Sequence, residues 1–64
     1  MLNFKSTVRI KSINEDLEPI WGKTGEIVGR SEPYDDGTFD WGVFIFDTQE
    51  VWQIHESDLT LETL

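Results

Sequence analysis

The chain has 64 residues, a formal net charge of −8 and no cysteine, so it is one small domain without disulfides or thiolate metal sites. Its field opposes nucleic acid and anionic membranes and favours encounter with a basic partner. No apolar run approaches the roughly 20 residues of a membrane span, and "MLNFKSTVRIK" is too short and too charged for a signal peptide, which predicts a cytoplasmic protein.

A domain this small buries only about 60% of its unfolded surface. Eight aromatic residues supply the large areas it needs. The charge is lopsided: all five Lys/Arg lie in the first thirty residues, and residues 31–64 hold nine acids and neither Lys nor Arg.

The first segment, "STVRIKSI", sets Val8 and Ile10 against Thr7, Arg9 and Lys11, the alternation of a half-buried strand. A loop of about a dozen residues follows, "NEDLEPIWGKTG", in which "NEDL" can form one helical turn. "GEIVG" reads as a second strand whose glycines each permit a bulge or a bend. In "PYDDGTFDW", "DDG" is a turn signal, because Asp and Gly tolerate positive φ. "WGVFIFD" is apolar on both faces, as a central strand would be, and "DTQE" is a tight turn into a returning strand, "VWQIH".

Pairing across that turn predicts Phe46 opposite Val51, Ile45 opposite Trp52 and Val43 opposite Ile54. One face then carries Trp41, Val43, Ile45, Trp52 and Ile54 as core. The other carries Phe44, Phe46, Val51, Gln53 and His55, partly exposed or covered by Leu2 and Phe4. "ESDL" reads as a 3₁₀ turn, with Ser57 and Asp58 as its caps, and "TLETL" as a last short strand. The set is all-β and predicts a small five-stranded SH3-like barrel, residues 1–64, whose closure removes exposed edges.

In that order, "VRIKS", "GKTGEIVG", "DDGTFDWGVFIFD" and "EVWQIHESDL" resemble the immunity protein 31 family of bacterial polymorphic-toxin systems, over residues 7 to 60. The resemblance implies a cognate antitoxin that binds a toxin's catalytic domain and blocks it. Related patterns occur in KOW-type ribosomal domains and in small accessory subunits of photosynthetic complexes. The resemblance implies no particular contact residues.

Enzymatic readings fail on spacing. A phosphate loop needs a glycine where Leu17 stands, and no helix pattern follows "GKT". A calcium loop with Gly37 at its sixth position would put Tyr34 at a ligand position. His55, Ser57 and Asp58 crowd one strand end rather than converging on a pocket, and a lone His builds no structural zinc site without Cys. No catalytic residue, metal or cofactor is expected.

Five scattered bases (Lys5, Arg9, Lys11, Lys23, Arg30), even sharing a face with Trp21 as a stacking platform, fall short of a nucleic-acid stripe. The tandem aromatics of proline-rich-peptide binders are also missing. What remains is a monomer that binds a basic protein partner. Its candidate contacts are Tyr34, Asp35, Asp36, Phe39 and Asp40, with a second cluster of Glu15, Asp16, Glu18 and Trp21. Tyr34 and Phe39 serve equally well as caps on the end of the fold. Asp47, Glu50, Glu56, Asp58 and Glu62 read as solvated surface. Two alternatives stand beside the antitoxin: a small acidic accessory subunit of a larger complex, and an RNA-binding barrel.

Overall fold

Alternation decides which side chains go inside. In the computed structural model, which describes residues 4–62, Val8 and Ile10 of β1 (Thr7–Ile10) are buried, as are Gly25 and Ile27 of β2 (Thr24–Arg30). Trp41, Val43 and Ile45 of β3 (Asp40–Ile45) and Ile54 of β4 (Glu50–His55) complete the sheet's share of the core. Leu17 and Ile20 join it from a 3₁₀ segment, η1 (Glu15–Ile20), and Phe39, Trp52 and Leu59 pack at its margin. Each fully buried Val or Ile contributes roughly 1.5–3 kcal/mol relative to exposure. Among the described residues no charged side chain is buried.

A second 3₁₀ turn, η2 (Glu56–Asp58), leads into β5 (Leu59–Leu61). All pairings are antiparallel, in the order β4-β3-β2-β1-β5. The fold is therefore all-β. The most central strand is β2, with β3 inside it rather than at the middle. No ladder among the described residues joins the outer strands β4 and β5. Instead η2 crosses between them: Glu56 N–H donates to the Phe39 carbonyl at 3.0 Å, and Lys11 N–H donates to the Asp58 carbonyl at 2.9 Å.

Two glycines are required by geometry. Gly37 has φ +85° behind the turn that Gly37 N–H closes on the Tyr34 carbonyl, so "DDG" turns the chain as expected. At Gly25 a Cβ would lie 2.5 Å from the Phe44 carbonyl oxygen, so strands β2 and β3 meet there only without a side chain. The bulge foreseen at one of the glycines falls between Ile27 and Gly29.

Three expectations are corrected. The β3–β4 turn is Phe46–Gln49 rather than "DTQE", closed by Gln49 N–H on the Ile45 carbonyl, so Val51 pairs with Phe44 and Trp52 with Val43. The slip is two residues, which preserves every face: Trp41, Val43, Ile45 and Ile54 are inside, and Trp52 is half-buried against them. Phe4 does not cover the outer face, for it is 61% exposed and Val51 62%; Leu2 lies outside the described residues. Finally, η2 is capped by His55, whose Nδ1 accepts from Ser57 N–H, and not by Ser57 or Asp58.

Candidate functional site

The first acidic cluster is built on η1. Asn14 caps that segment by accepting from Asp16 N–H at 3.0 Å; the carboxylates of Glu15, Asp16 and Glu18 in the first turn are exposed and form no hydrogen bond among the described residues. Carboxylates there suit the partial positive charge of the free N–H groups. Trp21 follows, 39% exposed, its ring held by an Nε1–H bond to the Asn14 carbonyl at 3.0 Å. It lines an open cleft with Ile10, Lys11, Ile13, Ser57 and Asp58.

Ile13 is 95% exposed and absent from the sequence-based candidates. Its signal was its phase: Val8 and Ile10 fall on even positions, and Ile13 falls on the odd side that Arg9 occupies. The loop that presents it is braced on both sides, by Asn14 N–H on Ser12 Oγ and by Lys11 N–H on Asp58.

The second cluster divides. Tyr34 O–H donates to Asp40 Oδ2 at 2.5 Å, and Gln53 Nε2 donates to the same oxygen at 2.9 Å. These bonds, Tyr34 first, hold the Asp40 carboxyl below its usual range, and the Tyr34 hydroxyl is raised by the same contact. Thr38 donates to Asp36 from its hydroxyl at 2.6 Å and from its N–H at 3.0 Å, which lowers Asp36 too.

His55 closes this network. Since Nδ1 accepts from Ser57 N–H and the Thr38 hydroxyl is given to Asp36, Nε2–H donates to Thr38 Oγ1 at 3.0 Å. The Tyr34 and His55 rings lie tilted, 5.6 Å apart. Of Asp35, Asp36 and Asp40, only Asp35 has a carboxylate without a hydrogen bond among the described residues.

Phe39 takes the capping position that the sequence also allowed. It packs half-buried against the core with its ring 5.7 Å from Trp41, the Arg30 guanidinium 4.5 Å over its face, and its N–H on Glu56 Oε1 at 2.8 Å. That bond also removes Glu56 from the solvated acids. Asp47 and Glu62 pair with Lys23 and Arg9, each at 2.7 Å, Asp47 remaining mostly exposed to solvent as expected.

The five bases therefore do not form one available face. Arg9 and Lys23 are in ion pairs, Arg30 lies on Phe39, and only Lys5 and Lys11 form neither kind of contact among the described residues. The two acidic clusters sit at opposite ends of β2, yet η2 and its cap wall both. Ser57 and Asp58 flank the Trp21 cleft, and His55 flanks a hollow with Tyr34, Asp35, Asp36 and Thr38.

Among the described residues no cluster of three or more His, Asp or Glu could hold a metal ion, and no helix is long and apolar enough to cross a membrane. Against known proteins, the chain matches no family model, no curated protein and no solved structure.

Proposed function

We propose that the protein is an immunity protein, an antitoxin that neutralises a cognate bacterial toxin domain by binding it directly in the cytoplasm, one copy to one. The motif order described above implies that class. The observation that carries the reading is the mismatch between engaged cations and free carboxylates. Among the described residues Glu15, Asp16, Glu18 and Asp35 are exposed and form no ion pair, close in sequence to Trp21 and Tyr34, while three of the five cations are occupied within the fold. Such a surface draws a basic domain by long-range attraction, and half-exposed aromatics then anchor it. The same occupation of cations weakens the RNA-binding alternative.

The test is co-expression with the toxin domain encoded beside this chain. Wild type should rescue growth. Reversing Glu15, Asp16, Glu18 and Asp35 to Lys should slow association by about tenfold or more and flatten its salt dependence. Undiminished rescue and association would overturn the charged-loop mechanism.

A second reading, the acidic accessory subunit, draws on a different observation. The outer sheet face leaves Phe46 45% and Val51 62% exposed, as a seat inside a larger complex would require. Isolation of the protein in a stable stoichiometric assembly with no toxin partner would favour it.

A further inference from the structure

The outer face of β2, β3 and β4 contains a slot that the fold does not need. Gly29 and Gly42 stand opposite each other in the β2–β3 ladder, and neither has a positive φ. A Cβ at Gly29 would meet nothing within 4 Å, and one at Gly42 would meet only Gly29 backbone at 3.5 Å, an ordinary contact. This contrasts with Gly25, where a side chain is sterically excluded. Glycine weakens a strand interior and marks a bulge or the close approach of another group; the bulge between Ile27 and Gly29 accounts for a glycine there, whereas Gly42, opposite it, sits in regular register with β4 and leaves room for a side chain. The bare floor opens a slot of about 290 Å³ walled by Arg30, Ser31, Asp40, Val51 and Gln53.

The walls indicate what fits. Asp40 is already bonded to Tyr34 and Gln53, and Arg30 already lies on Phe39, so no unpaired ion faces the slot. Exposed Val51 continues it toward Phe44, the residue paired with Val51, and on to Phe46, whose ring meets that of Phe44 edge-on at 6.2 Å. A flat apolar group suits a glycine floor between such walls, as aromatic rings cover glycines within natural sheets. Charge selects the bearer of that group. β3 and β4 carry no Lys or Arg, Asp40 walls the slot and Glu26 lies opposite Phe44 on the same face, while Arg30, the one cation among the lining residues, is engaged over Phe39. We infer that this face docks an aromatic side chain projecting from a cationic protein surface, seated over Gly29 and Gly42. The inference rests on the partner being a protein, as proposed above, and extends its footprint from the acidic turn through Asp40 onto the sheet.

The test uses the full chain and three probes, acetyl-Lys-Trp-Lys-amide, acetyl-Glu-Trp-Glu-amide and acetyl-Lys-Ala-Lys-amide, followed by amide chemical shifts. The cationic tryptophan peptide should shift Gly29, Gly42, Val51 and Gln53, and bind about tenfold more tightly than either control. Gly42→Val, and independently Gly29→Val, should keep or raise the thermal midpoint while removing those shifts. Shifts centred on Trp21 or Tyr34, equal shifts from the alanine peptide, or unchanged binding by a stable slot-filled variant would each overturn the proposal. A lowered midpoint in both variants would also overturn it, since the fold would then need the glycines. These titrations need no toxin, so their failure is separate from failure of the wild type to rescue cells. If both ideas hold, Gly42→Val with intact loops loses rescue.

Discussion

Trp41 is only 5% exposed, and its indole N–H has no acceptor among the described residues. Burying an unpaired donor costs about 1–3 kcal/mol, so the residue's net stabilisation is less than its area implies. Trp41→Phe gives up part of the ring but removes that donor, and should fall within about 1 kcal/mol of wild type in urea unfolding. Trp41→Ala should cost about 3–5 kcal/mol, because nothing then fills the space. A phenylalanine cost as large as the alanine one would show that the N–H finds a partner in solution. The residue scale also separates carboxylates that look alike in sequence. Asp35 and Asp36 are neighbours, but Thr38 donates twice to Asp36 Oδ1, whereas the Asp35 carboxylate has no such bond among the described residues.

At the scale of elements, the β3–β4 connection shows what periodicity can and cannot read. A two-residue slip leaves every side chain on its expected face, so the alternating pattern cannot detect it; only the turn's geometry does. Here the turn holds four residues and puts Gln49 at φ +57°, a conformation that costs a non-glycine residue roughly 1–2 kcal/mol. Gln49→Gly should therefore raise stability by up to about 1 kcal/mol, after the added freedom of the unfolded glycine is subtracted. Thermal unfolding checks it, and a loss of stability would mean the Gln49 side chain holds the turn. The η2 cap shows the same limit of sequence reading. Ser57 and Asp58 have the right chemistry for capping, but His55, two residues before Ser57, has the right position.

For the whole molecule, charge repulsion and local carboxylate bonds act in opposite directions as pH falls. Asp36, Asp40 and Glu62 have lowered folded-state values, the last through Arg9. Their contribution is present above the ordinary carboxylate range and is lost as pH falls through their folded values. A net charge of −8 at pH 7 meanwhile destabilises the compact state and vanishes near the pI of about 4.2. The melting temperature should thus hold or rise from pH 7 toward the pI, then drop below about pH 4 as those groups protonate. At pH 7 added salt should raise it, because screening relieves repulsion more than it weakens two exposed ion pairs. A fall with salt at neutral pH would show that those pairs dominate instead.

The all-β class, the turn at Gly37, the inward faces of β1, β3 and β4 and the acidity were determined by the sequence, because each depends on neighbours a few residues apart. The candidate site was only partly legible. Trp21, Tyr34 and the exposed acids of η1 stood out by residue type, whereas residue type left Phe39 equally a contact and a cap, and Ile13 passed unnoticed. Which carboxylates are free, that η2 joins two distant loops, and that Gly29 faces Gly42 were decided by tertiary structure. Those facts rest on contacts such as Lys11 with Asp58 and Asp40 with Gln53, far apart along the chain, which no local pattern encodes.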